Sequence, residues 1–211
     1  MPPKLLSYIP RQALDKIEEY LKTHNIGVNR YRKQVGDGKS KTLGIVCRRC
    51  LPPDISRMSW LHPYLFKLIL EFADVYVKPY CSFTSIQIND NYVCAPHKDI
   101  NNIGESYIVG FGNYLGGQLC IEDMDYDIRL RGLLFDGSQL KHWTKSWIHN
   151  RYTLVFHTLA PKVRWNLKVP LISDYEVISD NGIWKVRRKS DGLLLWGKNG
   201  LPHPLKNRTS I

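Results

Sequence analysis

Apolar residues recur at two different periods along this chain, and the change of period divides it. Within residues 10–24, Leu14, Ile17 and Leu21 follow at steps of three and four, with Pro10 near the start and Gly27 beyond the end. That spacing predicts an amphipathic helix. From Trp60 to Tyr76 the positions Leu61, Leu65, Leu68, Ile69, Phe72 and Val75 repeat it, predicting a longer helix with one buried face. After Tyr80 the period becomes two. Residues 80–89, 107–112, 118–121, 129–135 and 151–159 are short alternating or apolar runs separated by Asn91-Tyr92, Gly116-Gly117 and Asp136-Gly137, and Leu43–Cys47 is a shorter run of the same kind. Residues 29–42 carry no apolar period and read as a turn-rich basic loop. Residues 100–106 read as a polar loop, and Glu122–Asp127 as an exposed acidic connector without the glycine of a calcium loop. Near the C-terminus, two apolar runs within Ile183–Trp196 are joined by Ser190-Asp191-Gly192 and predict a hairpin, followed by a basic tail from Pro202.

Many short strands behind two helices indicate an α+β, mainly β architecture: an antiparallel sandwich or jelly roll with supporting N-terminal helices. The expected organisation is one domain over residues 1–165 and a basic C-terminal extension over 166–211. At 211 residues a single domain with a sizeable core is the default.

Composition changes the picture in one respect. Apolar residues at 43% and charged residues at 23% are ordinary for a folded chain. The charge is not ordinary, because 30 Lys+Arg against 19 Asp+Glu leave +11. An excess of this size draws polyanions, nucleic acid first and an anionic membrane surface second. No apolar run reaches the ~18 residues that span a bilayer, and Met-Pro-Pro-Lys lacks the plan of a signal peptide, so a soluble intracellular protein without membrane partners is expected. Five scattered cysteines argue against a disulfide framework. Cys47-Arg-Arg-Cys50 has zinc-like spacing but lacks the second ligand pair that a structural site needs.

The candidate chemistry lies between Ala95 and Thr158. Side chains one residue apart on an extended segment point the same way, so His97 and Asp99 converge. His142 follows after enough chain for strands to bring it back, completing two histidines and one carboxylate. Such a facial set, with open positions opposite, suits non-haem Fe(II) that must also bind a cosubstrate and dioxygen. Arg151 opens the run Tyr152–Phe156, where its guanidinium fork can hold a carboxylate in two parallel bonds, and a dicarboxylate cosubstrate is the natural occupant. His149 is a poorer ligand than His142. Arg30, Tyr31 and Arg32, with Arg48 and Arg49 further on, read either as a nucleic-acid clamp or as a solvated basic loop. Lys185, Arg187, Arg188 and Lys189 add charge to the C-terminal hairpin.

The ordered set His97-x-Asp99, Gly-Gly-Gln-Leu119, Phe-Asp-Gly137, His142 and Arg151-x-Thr153 resembles the Fe(II)- and 2-oxoglutarate-dependent dioxygenases over residues 80–160. Within that superfamily, His-Lys-Asp-Ile-Asn-Asn102 is similar to the His-x-Asp-x-x-Asn form of the TET/JBP group, which oxidises the methyl group of 5-methylpyrimidines in DNA. The resemblance implies a double-stranded β-helix. It implies Fe(II) on His97, Asp99 and His142, 2-oxoglutarate held by Arg151 with Thr153 assisting, dioxygen as oxidant and ascorbate as a stimulating reductant. It further implies Asn102 and a histidine on the strand after the arginine as base contacts. Here that histidine is His157, two residues short of the family's spacing but on the same strand face as Arg151. The implied activity is hydroxylation of 5-methylcytosine or thymine in DNA. Two alternatives stay open: a protein prolyl- or lysyl-hydroxylase of the same superfamily, and an inactive jelly-roll binding module whose histidines and aspartate are structural.

Overall fold

The computed structural model describes residues 2–27, 36–47, 52–160 and 169–195. Its centre is a seven-stranded sheet built from β1 (Lys4–Tyr8), β2 (Gly36–Val46), β3 (Asp54–Ile55), β4 (Ser85–Cys94), β5 (Asn102–Gly112), β9 (Arg131–Phe135) and β12 (Arg151–Leu159). The strand order is β1-β9-β5-β12-β4-β2-β3, and every neighbouring pair is antiparallel. Opposite it lie two small antiparallel sheets, one of β7 (Leu119–Ile121), β8 (Met124–Tyr126) and β10 (His142–Thr144), the other of β6 (Leu115–Gly116) and β11 (Trp147–Ile148). This is the mainly β jelly roll that the pattern predicts.

The two faces of β12 show why the chain folds this way. Tyr152, Leu154 and Phe156 are buried in the larger core cluster, together with Leu14, Ile17 and Leu21 of α1 (Gln12–Thr23) and Leu65, Phe66, Ile69 and Phe72 of α3 (Pro63–Tyr76). The alternate residues Arg151, Thr153, Val155 and His157 line a cavity on the opposite face. Val155 also packs against the second cluster, which Ile108, Leu119, Ile121, Leu133 and Phe135 form between the sheets. At ~25 cal/mol per Å2 of buried apolar area, fully burying one such side chain contributes roughly 1.5–3 kcal/mol, so the helices hold the sheet from behind and leave its other face to function.

Several expectations are corrected. The basic loop at 29–42 becomes strand from Gly36 onward, paired with β4 from Cys94 to Ser85. Its side chains are polar on both faces, so no alternation marked it as a strand. Asn91-Tyr92 is no turn: β4 runs through it, with Asn91 at φ 48° opposite a register shift in β2. Gly38 faces this irregularity at φ +115°, where a Cβ would meet the Asn91 carbonyl at 2.4 Å. The polar loop after Asp99 ends at Asn102, where β5 begins, and Glu122–Asp127 holds a hairpin with Glu122 and Asp123 at positive φ followed by β8. The single helix expected over 60–76 is two, α2 (Arg57–Leu61) and α3, because Pro63 excludes His62 from helical geometry. Val75 is exposed rather than core, and strand β1 was not foreseen.

The C-terminal hairpin is one part of a three-stranded sheet, β13 (Tyr175–Asp180), β14 (Ile183–Arg188) and β15 (Leu194–Leu195). Ser190-Asp191-Gly192 joins β14 to β15. The tighter turn is Asn181-Gly182, both at positive φ, between β13 and β14. Tyr175, Val186 and Leu195 enter the same core cluster as the helices.

Candidate metal centre and its cavity

His97, Asp99 and His142 come together with their ligand atoms within 4.8 Å of one another. His97 and His142 form an antiparallel bridge, each backbone N–H donating to the other's carbonyl at 3.1 and 3.0 Å. The Asp99 N–H donates to Gly137 O at 2.7 Å. Backbone hydrogen bonds therefore fix all three Cα positions before any side chain acts. His97 Nδ1 donates to Ala95 O at 2.8 Å and His142 Nδ1 to Leu140 O at 3.0 Å. A carbonyl only accepts, so with neutral rings each Nδ1 carries the proton and each Nε2 turns a lone pair inward. The Nε2 atoms lie 3.6 and 3.8 Å from the two Asp99 oxygens. Burial is the largest single influence on His97 and works against its charge, yet the Asp99 carboxylate, Cys94 and the Ala95 carbonyl together outweigh it and hold the imidazole up to about 10. The cluster demands positive charge, and a divalent cation satisfies that demand with both imidazoles neutral.

Two glycines make room. A Cβ on Gly137 would meet His142 Cε1 at 3.3 Å and Asp99 Oδ2 at 3.4 Å, so any side chain at that position of the Phe-Asp-Gly turn would crowd the cluster by a few tenths of an ångström. A Cβ on Gly117 would meet Arg151 Cδ at 2.8 Å and Nε at 2.9 Å, at φ +67°. Gly117→Ala is expected to cost roughly 1–2 kcal/mol for the left-handed backbone alone. Thermal unfolding should then show a midpoint lowered by ~2–8 °C, with the arginine displaced.

Arg151 is 3% exposed. Its Nε donates to Gly117 O at 3.0 Å, and its guanidinium carbon stands 5.4 Å from the ring centres of both Tyr114 and Trp147. Burial lowers its pKa from the ordinary value. Among the described residues its buried Nη2 makes no hydrogen bond of normal geometry, and neither does the adjacent buried Tyr114 Oη, whose own pKa burial pushes up to about 12 even with the Arg151 charge beside it. A buried guanidinium with an unspent donor costs several kcal/mol unless an anion completes it, and a ligand carboxylate fits.

Both features open on one cavity of about 530 Å3 between the large sheet and the β7–β10 layer. Thr153, His157 and Asn102 line it as well, so the shift in spacing at His157 does not turn that residue away from the site. The Asn102 N–H donates to Asp99 O at 2.9 Å, closing a turn whose corner residue Ile100 is 79% exposed. His149 is exposed and outside the cavity. Arg30, Arg32, Arg48 and Arg49 lie outside the described residues, as do Tyr31, Cys50 and the tail from Pro202. Sequence reasoning missed Tyr114 and Trp147, and also the polar set Ser40, Thr42, Gln87 and Asn89, whose period-two polarity on two strands was the available signal. Cys94 Sγ, 3.4 Å from His97 Nδ1, was missed too.

No protein-family model and no curated protein matches the sequence. Solved structures do share its fold. NgTET1 in complex with 5mC DNA superposes with a TM-score of 0.54 at 16% identity, over 74% of this chain and 72% of that one. An oxidoreductase of the 2OG-Fe(II) oxygenase family from Burkholderia pseudomallei gives 0.51 at 11% identity, over 74% and 82%. At these identities the likeness is one of fold.

Proposed function

We propose that this chain is an Fe(II)- and 2-oxoglutarate-dependent dioxygenase that hydroxylates the methyl group of a 5-methylpyrimidine in DNA. The observation that carries the reaction class is the buried Arg151 with its unspent Nη2, placed in one cavity with the His97, Asp99 and His142 cluster. His97, Asp99 and His142 would hold the iron through two neutral imidazoles and one carboxylate. Arg151 and Thr153 hold the far carboxylate of the cosubstrate. Fe(II) with 2-oxoglutarate and dioxygen supplies an oxidant for C–H bonds, with succinate and CO2 as coproducts. Ile108, Leu119, Phe135 and Val155 wall the cavity with apolar surface and keep water away from the reacting carbon.

Three observations support DNA as substrate. The net charge is +11, NgTET1 bound to 5mC DNA shares the fold, and Asn102 and His157 offer hydrogen-bonding groups in the same cavity. A base must leave the stack to reach the iron, which costs a few kcal/mol in a duplex and little in a single strand. Ile100 stands exposed at the corner of the turn between Asp99 and Asn102, beside exposed Lys98; on this reading an apolar side chain there wedges into the gap that the base vacates.

The test is nucleoside mass spectrometry after incubating the protein with 5-methylcytosine- or thymine-containing DNA, Fe(II), 2-oxoglutarate and ascorbate. An oxidised base is expected. Succinate production without one would move the substrate to a polypeptide. Under the same conditions Ile100→Asp is expected to lower turnover on duplex DNA by about tenfold or more, equivalent to ~1.4 kcal/mol, and on single strands less than about twofold. Equal losses on both would remove Ile100 from the base stack.

A further inference from the structure

A row of polar side chains runs across three strands to Thr153, and its hydrogen bonds point one way. Thr42 Oγ1 donates to Gln87 Oε1 at 2.7 Å, and Gln87 Nε2 donates to Ser40 Oγ. Ser40 Oγ then donates to Asn89 Oδ1 at 2.9 Å, and Asn89 Nδ2 donates to Thr153 Oγ1 at 2.9 Å. Sheet register produces the row: Ser40, Asn89 and Thr153 are direct cross-strand partners on β2, β4 and β12, and Thr42 and Gln87 form the next rung. Ser40, Gln87 and Thr153 are buried, where such bonds polarise one another and an unpaired group is costly.

The direction has a consequence at the end of the row. Thr153 Oγ1 accepts the hydrogen bond from Asn89, so its own O–H is left to donate into the cavity that it lines. Turning both amides around would give the opposite row, with Thr153 donating to Asn89 and presenting only lone pairs to the cavity. A ligand carboxylate favours the first arrangement, a neutral donor group the second. Arg151, two residues away on the same face, already selects for an anion.

We propose that Asn89 is a positioning residue: backed by Ser40 and Gln87, it holds the Thr153 hydroxyl as a donor and so selects a carboxylate over a neutral group at that end of the cosubstrate. The proposal rests on the 2-oxoglutarate reading above and adds an orienting group to it. An aspartate side chain has no N–H to donate, so Asn89→Asp would accept a hydrogen bond from the Thr153 hydroxyl and reverse its direction.

The experiment measures binding of 2-oxoglutarate and of 2-oxoglutaramate, the same molecule with its far carboxylate amidated, to the Mn(II)-loaded full chain. The unaltered protein is expected to prefer 2-oxoglutarate. Asn89→Asp and Thr153→Val should each reduce that preference about tenfold or more, and Thr153→Ser, which keeps the hydroxyl, should retain it. The double variant Asn89→Asp/Thr153→Val should lose no more than Thr153→Val alone, because Asn89 acts through the hydroxyl. Additive losses would show the new carboxylate acting directly on the ligand and overturn the proposal, as would an unchanged preference in Asn89→Asp. If Asn89→Asp does not take up Mn(II), the contrast of Val with Ser at 153 decides: equal losses in the two overturn the proposal. If the unaltered protein takes up Mn(II) and binds neither ligand, the cosubstrate reading itself fails.

Discussion

Arg151→Ala is expected to weaken 2-oxoglutarate binding roughly 100- to 4,000-fold while leaving metal uptake intact. Removing one partner from a buried, hydrogen-bonded charge pair costs about 3–5 kcal/mol, and each ~1.4 kcal/mol is a factor of ten. Arg151 sits on β12 and its fork is aimed by Gly117 O, Tyr114 and Trp147, none of which belongs to the metal cluster. Metal and cosubstrate affinities therefore separate in this variant. The measurement is a thermal shift with Mn(II) and 2-oxoglutarate added in turn. Stabilisation by a ligand grows as RT ln(1 + [L]/Kd), so the shift from 2-oxoglutarate should vanish and the shift from Mn(II) persist. Arg151→Lys should recover little, because an ammonium has no planar fork to meet a carboxylate in two bonds. A 2-oxoglutarate affinity unchanged in Arg151→Ala would refute the carboxylate anchor.

Asp99→Ala is expected to abolish turnover and to weaken Mn(II) or Fe(II) binding beyond the ~100-fold that marks the upper range for losing a group behind a ligand. Asp99 alone brings negative charge to the cluster, lying between the Nε2 atoms of both histidines. Its backbone position is held independently by the Gly137 carbonyl and by the turn to Asn102. The variant should therefore fold, as judged by an unfolding midpoint within a few degrees of the parent without metal. Equilibrium dialysis or Mn(II) electron paramagnetic resonance reads the loss. Metal uptake that survived both Asp99→Ala and His142→Ala would instead favour a jelly roll whose histidines are structural.

Local periodicity accounts for the part of the fold that is legible in the sequence. The face of α1 with Leu14, Ile17 and Leu21, the alternation along β12 and the mainly β class follow from neighbours two to four residues apart. The same parity placed His97 beside Asp99 and kept His157 on the face of Arg151. The turn at Asn181-Gly182 was equally local, and it is a stronger two-residue hairpin signal than the Ser190-Asp191-Gly192 connection.

Pairings between distant segments decided the rest. Strand β2 begins at Gly36 because β4 supplies its partners, and Ser40 and Thr42 are strand residues only in that company. The surroundings of Arg151 come from Gly117, Tyr114 and Trp147, loop and edge residues whose approach no short window of sequence encodes. Register across β2, β4 and β12 turned isolated polar residues into one row ending at Thr153. The order of apolar and polar residues thus determined which side chains share a face, because side-chain period is a property of the backbone alone. Only the assembled sheets determined which inward side chains meet, because register is set by burial and hydrogen bonding between segments far apart in sequence.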